Sequence, residues 1–265
     1  MGIRGAGIMK MDLNTGKMEV IEEYDTVQKG IPSCFFGTGD YVYYYRADKN
    51  VRKDHPWYRY VISENRIESA EPQITDPELV VSGRTHELLT VEPNFIEDRS
   101  YWLAKSSKEG EEDRLAVMVF QVSTGELLPE ECLETEIPFD KKKYRQNIRQ
   151  NGYYSMTYYD GKFLIADAQK AYFCDLQGKI VGEIAVPNEE LGIKDVSRAL
   201  YLSFKISKEK LYLIFSDGSS FYSRVLYCPL EDVYKKQGTW TDAYRIQGII
   251  TWEESQKYMQ NLDLR

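Results

Sequence analysis

Apolar and polar side chains alternate along this chain in short runs, rich in β-branched and aromatic residues, each closed by a cluster of Gly, Asp, Asn or Lys. Tyr41-Val-Tyr-Tyr-Tyr45, Tyr58-Arg-Tyr-Val-Ile62, Leu115-Ala-Val-Met-Val-Phe120, Lys162-Phe-Leu-Ile165 and Leu211-Tyr-Leu-Ile-Phe215 are clear examples. Short runs of this kind punctuated by turns predict strands, and their number predicts an all-β sandwich, barrel or propeller. Helical periodicity is almost absent until the last fifteen residues. There Thr251 and Glu254 form a capping box, and Trp252, Met259 and Leu262 fall on one stripe, which predicts a short amphipathic helix over 251–262.

The runs repeat. A strand ending in a polar residue, a tight turn and a second strand recur in Met9-Lys-Met-Asp-Leu-Asn-Thr-Gly-Lys-Met-Glu-Val20, Phe120-Gln-Val-Ser-Thr-Gly-Glu-Leu127 and Phe173-Cys-Asp-Leu-Gln-Gly-Lys-Ile-Val181. Tyr60-Val-Ile-Ser-Glu-Asn-Arg-Ile67 and the stretch from Leu226 to Gly238 are degenerate copies. Their turn residues Gly16, Asn65, Gly125, Gly178 and Gly238 mark steps of 49, 60, 53 and 60 residues. A period of this size is the signature of a repeat architecture. Two more strands fit between successive marks: Tyr153–Tyr158 and Lys162–Ala166 around Asp160-Gly161, then Ala199–Phe204 and Leu211–Phe215 around Ser207-Lys-Glu209. Several of these inner strands are apolar on both sides, as expected when both faces of a sheet are covered.

This pattern resembles β-propeller repeat proteins over nearly the whole chain, without a Trp-Asp or kelch signature. The resemblance implies an all-β, propeller-like single domain spanning 1–265, of about five four-stranded units. The first unit is expected to be incomplete, since only its third and fourth strands precede Lys29. The chain is accordingly expected to be part of a longer protein, or to close irregularly. The resemblance also implies that the loops entering each first strand, and those joining second to third strands, share one face around a central channel.

Composition narrows the function classes. The 265 residues carry 34 basic and 42 acidic side chains, a net charge of −8. That balance argues against a general nucleic-acid binder, and the longest apolar run, Leu115–Phe120, is far too short to insert into a membrane. No signal peptide or myristoylation pattern opens the sequence, so it reads as cytoplasmic, or as exported if an upstream segment exists. Cys34, Cys132, Cys174 and Cys228 make no C-x-x-C pair, and only two histidines are present. No metal site and no cofactor are expected, and the cysteines are expected to be reduced structural thiols. No Gly-x-Gly-x-x-Gly, Walker or Gly-x-Ser-x-Gly pattern occurs.

A cationic residue precedes each expected first strand: Lys29, Arg84, Arg149, Arg198 and Arg245. If these project into the channel mouth they form a positive funnel for an anionic small molecule or acidic protein partner, with His86 beside Arg84. The alternative is that each arginine bonds neighbouring loop carbonyls and locks adjacent units. The first functional expectation is therefore a non-catalytic recognition module. The second is a carbohydrate-active propeller hydrolase using Glu87, Glu92 or another channel-facing carboxylate, because glycoside cleavage needs two carboxyl groups across a sugar. His55, Trp57 and Tyr58 lie in or beside a long loop on the same expected face. The basic stretch Asp140-Lys-Lys-Lys-Tyr-Arg145 reads as a solvated connection, and the Tyr41–Tyr45 and Tyr153–Tyr159 clusters as a possible exposed patch.

Overall fold

In the computed structural model the described residues are 5–11, 15–25, 31–47, 56–74, 79–89, 91–140, 154–167, 169–189, 191, 201–216 and 222–247. The sequence becomes a succession of antiparallel meanders, and the chain divides into two compact units. One comprises Met1–Leu79, Pro93–Tyr101 and Met118–Glu131; the other Val80–Glu92, Trp102–Val117 and Cys132–Arg265.

The first unit opens with the two-stranded ribbon β1 (Gly5–Met11) and β2 (Met18–Asp25), turning at Gly16. Next comes a four-stranded meander of β3 (Ile31–Thr38), β4 (Tyr41–Ala47), β5 (Trp57–Val61) and β6 (Arg66–Ser69), in sequence order. Its inner strands bury aromatic rings. Tyr43 stacks on Phe95 at 4.1 Å between centroids, and Trp57 lies 5.1 Å from the same ring. Arg59 is buried beside them and is neutralised by Asp98 at 2.6 Å and by Glu68. Burial raises the Tyr43 hydroxyl to about 12, so it stays a neutral donor, bonded to the Glu97 carbonyl at 2.6 Å.

The next sheet is less regular. It runs in the order β12 (Leu133–Pro138), β11 (Arg114–Gln121), β10 (Arg99–Ser107), β8 (Arg84–Leu88) and β7 (Leu79–Val81), with β9 (Asn94–Ile96) pairing the start of β10. Strands β10 and β11 contribute residues to both units. From Leu115 to Phe120 every residue of β11 is buried, as its unbroken apolar run requires.

Two regular meanders complete the second unit. One is β13 (Ser155–Tyr159), β14 (Lys162–Ala166), β15 (Lys170–Asp175) and β16 (Ile180–Ala185); the other is β17 (Tyr201–Ser207), β18 (Lys210–Ser216), β19 (Tyr222–Pro229) and β20 (Thr241–Gln247). The turn Asp160-Gly161 has positive φ at both residues, the twist that suits a two-residue hairpin. A core of Leu164, Phe173, Ile184, Phe204, Leu213 and their neighbours lies between these two sheets. The helix α1 (Leu230–Tyr234) sits in the long β19–β20 connection, and Tyr234 packs edge-on against Phe173 at 5.2 Å.

The architecture is thus all-β and propeller-like, built from repeated antiparallel sheets. All five turn residues that mark the repeat fall where expected: Gly16 between β1 and β2, Asn65 between β5 and β6, Gly125 after β11, Gly178 between β15 and β16, and Gly238 between β19 and β20. The first repeat contributes two strands, as the sequence implies. The short strands β7 and β9 are additions the sequence pattern does not announce. The expected helix 251–262 lies outside the described residues. Cys132, Cys174 and Cys228 are free thiols, and burial raises the Cys174 thiol to about 12.

Candidate functional site

Three stretches of the second unit line an open cleft of about 860 Å³. The first is the β10–β11 connection with Glu111, Glu112 and Asp113; the second, Pro138–Asp140 leaving β12 and Tyr154 entering β13; the third, Asp167 and Gln169 between β14 and β15, with Lys170 and Tyr172 of β15. These are the two classes of loop, entering first strands and joining second to third strands, that the repeat pattern assigns to one face.

Local bonding fixes each wall. Asp167 Oδ1 accepts the backbone N–H groups of Gln169 and Lys170 at 2.6 and 2.7 Å, closing that turn as short acidic side chains do. The Phe139 N–H donates to the Asp113 carbonyl at 2.9 Å, joining the β12 exit to the β10–β11 loop. The Tyr154 hydroxyl accepts the Asp140 N–H at 3.4 Å. Burial raises the Tyr154 phenol above its ordinary value, and burial together with Asp167 and Glu183 raises Tyr172, so both rings remain neutral.

Five carboxylates and one lysine line the cleft, and cations beside it pair with several of these acids. Glu111 pairs with Arg84 at 2.5 Å and with Lys108 at 2.7 Å, and Lys105 bridges Asp113 at 3.6 Å and Glu87 at 3.8 Å. Lys108 first and Arg84 second hold the Glu111 carboxyl below its usual value.

Behind Glu111 lies a buried polar cluster. Strand alternation in β8 turns Arg84 and His86 inward and leaves Thr85 and Glu87 exposed. Arg84 Nε donates to Ser106 Oγ at 2.7 Å and stands 3.3 Å from Glu134 Oε2, while the His86 ring bonds the other oxygen of Glu134. Burial raises the Glu134 carboxyl, but bonds from His86 and Ser106 and the charges of His86 and Arg84 outweigh this and hold it low. Arg84 Nη2 is buried with no hydrogen-bond partner among the described residues.

The structure therefore brings Arg84 and His86 together, with Arg84 9% and His86 2% exposed, beneath the cleft wall rather than on its surface. Lys29, Arg149 and Arg198 lie outside the described residues, as does His55. Arg245 falls within β20, opposite Arg224 in the ladder. Of the carboxylates considered for glycoside chemistry, Glu87 and Glu92 are exposed, and Glu87 reaches the cleft's neighbourhood through Lys105. The cleft carboxylates themselves were missed, although Glu109-Gly-Glu-Glu-Asp113 sits in a loop whose face was identifiable. Among the described residues no group of three or more His, Cys, Asp or Glu is placed to hold a metal, and no helix is long and apolar enough to cross a membrane.

No protein-family model and no curated protein matches the chain. Solved structures with some likeness of trace include CoXyl43, a GH43 β-xylosidase/α-arabinofuranosidase from a compost microbial metagenome, at 11% identity and TM-score 0.44 over 92% of this chain and 84% of that one. A mutant of the GH43 protein BlXynB from Bacillus licheniformis is 12% identical at TM-score 0.41, over 80% of this chain. The N-terminal domain of Nup159 is 9% identical at TM-score 0.41, over 93% of this chain and 61% of its own. The match spans 41% of the BlXynB chain.

Proposed function

We propose that this protein is a propeller-like recognition domain whose cleft takes a neutral, hydroxyl-rich ligand, a carbohydrate. One observation carries the reading: carboxylates and tyrosines from three loop stretches converge on one cleft whose nearby cations are already paired. An anionic ligand would meet five carboxylates there. A sugar instead donates its hydroxyls to carboxylates and neutral phenols and lays its C–H faces on Phe139 and Tyr172, the mixture of apolar walls and a few directed polar groups typical of small-ligand sites.

Native affinity electrophoresis through gels containing xylan or β-glucan tests this against gels containing dextran sulfate. Retardation by a neutral polymer, lost in Tyr172→Ala, supports the reading. Retardation by dextran sulfate alone overturns it and favours the anion reading drawn from the sequence. Glycoside hydrolysis is the second reading, favoured because the carboxylates come from two different sheets, Glu111 and Asp113 on one side and Asp167 on the other. Turnover of chromogenic aryl glycosides, lost in Asp113→Asn or Asp167→Asn, would establish it. No turnover leaves a binding module.

A further inference from the structure

Glu111 stands out in the cleft wall because it is held from inside the sheet. Its neighbours Glu112 and Asp113 occupy the same loop, but the arginine that reaches Glu111 comes from β8, and that arginine is nine-tenths buried. The Arg84 guanidinium works as a fork. Its Nε faces Ser106 and Glu134, and its Nη1 faces Glu111. Glu134 in turn is bonded by His86, itself almost wholly buried. His86, Glu134, Arg84 and Glu111 thus form one chain of contacts, with the two basic side chains buried and Glu111 at the cleft. A buried ion cluster is often no more stabilising than apolar residues of the same volume.

We infer that Arg84, fixed by Ser106 and by the His86–Glu134 pair, positions Glu111 so that it receives a ligand hydroxyl in the cleft. The inference rests on the carbohydrate reading of that cleft. Arg84 and His86 are positioning residues under it: neither touches ligand, and both act through Glu111. Lys108 also pairs with Glu111, but it is exposed on the same loop and supplies charge without fixing direction. A planar guanidinium with two bonded edges does fix direction, and a lysine could satisfy only one of those edges.

The test is a double-mutant cycle read by retardation in xylan and β-glucan gels at one pH, with thermal unfolding followed alongside. Glu111→Gln should weaken retention about tenfold, as expected for loss of one charge-assisted bond. Arg84→Gln should weaken it to a similar degree, Arg84→Lys should not rescue it, and the double variant should bind no worse than either single one. Should Arg84→Gln fail to fold, the Arg84 Nε–H resonance of the wild-type protein decides. It should move on adding a soluble oligosaccharide of the retained polymer, and should not move in Glu111→Gln.

A wild-type protein that neither neutral polymer retards overturns the carbohydrate reading, and the positioning role with it. A wild type that is retarded, while Glu111→Gln is retarded equally or the two single effects simply add, overturns the positioning role alone. An Arg84 resonance that stays fixed on ligand addition overturns it as well.

Discussion

Gly178 is where one sheet of the second unit rests on the next, and replacing it by alanine measures that contact. At φ +78° it occupies a conformation that L side chains rarely adopt. A methyl group there would stand 1.8 Å from the Glu134 carbonyl oxygen and 2.9 Å from its carbon, both of them backbone atoms. Holding alanine in the left-handed region costs about 1–2 kcal/mol. Restoring an ordinary carbon–oxygen contact, about 3.3 Å, forces the strands apart by more than an ångström. That movement stretches the bonds from Glu136 N–H to the Gly178 carbonyl and from Ile180 N–H to Glu136 Oε2, both now 3.1 Å. Each is worth about 0.5–1.5 kcal/mol.

The summed loss is roughly 2–5 kcal/mol, a large share of a typical domain's stability. It should appear as a fall in melting temperature of roughly 5–15 °C for a chain of this size. Gly161→Ala is the control. Gly161 also has positive φ, +70°, but no atom lies within 4 Å of the position its methyl would take. It should therefore lose only the conformational cost, about 1–2 kcal/mol. Calorimetry or urea unfolding of the two variants side by side separates conformation from contact. If Gly178→Ala is no less stable than Gly161→Ala, β12 and the β15–β16 turn do not abut as described. Because Glu134 is the residue displaced, carbohydrate retention should weaken as well.

Three further outcomes follow from the described contacts. Asp98 is held below its ordinary carboxyl value: burial raises it, but bonds from Ser123, Arg59 and Gln121 and the charge of Arg59 outweigh that. Its stabilisation is thus complete above the unfolded value, about 4, and is lost as pH falls through the depressed folded value. Asp98→Asn should flatten the acid limb of a stability–pH profile, and an unchanged limb would contradict the pairing. At neutral pH the same change removes one of the two carboxylates that neutralise buried Arg59, so the protein should unfold at a lower urea concentration, a loss of about 1–3 kcal/mol. Cys174, buried and with its thiol raised to about 12, should resist thiol reagents in the native protein and react only on unfolding, as mass spectrometry of labelled peptides would show. The Trp240 indole N–H donates to the Ala185 carbonyl at 2.6 Å, so Trp240→Phe should cost about 1 kcal/mol in urea unfolding while leaving retention in polysaccharide gels unchanged.

The repeat was legible because turns obey local chemistry. Gly178 and Gly125 have the positive φ that a tight turn demands, and Asp175 closes its turn by accepting the N–H groups of Gln177 and Lys179, both at 2.9 Å. Short apolar runs bounded by turns then marked strands such as Lys162–Ala166 to the residue. The strands β7 and β9 were illegible because three residues carry too little periodicity to register. The helix α1 was hidden for a similar reason: a single turn in a connection owes its existence to burying Leu230 and Val233, which depends on neighbours distant in sequence.

The connections that line the cleft were readable as connections, and the placement of the individual side chains was not, for a reason that lies in the pleat. Arg84 was placed in a loop, where it would be free to meet an anion. It is instead the first residue of β8, and a side chain at that register points to the buried side together with His86 two positions later. An arginine brought inside must find carboxylates, and it finds Glu134 within the sheet and Glu111 at its edge. A run of acidic residues in a turn, such as Glu111-Glu-Asp113, usually reads as a solvated bend, because sequence cannot say which of three adjacent carboxylates has a cation beneath it. Only the fold distinguishes them. The same cationic residue that suggested an anion site thus pairs with a carboxylate of the cleft wall, and on the carbohydrate reading proposed above the ligand changes from anion to neutral polyol. Charge reversal at Glu111 separates the two: Glu111→Lys would set a second cation against Arg84, so neutral-polymer retention should be lost while dextran sulfate begins to retard the protein. Unchanged retention by xylan and β-glucan in that variant would show that the wall carboxylate plays no part in recognition.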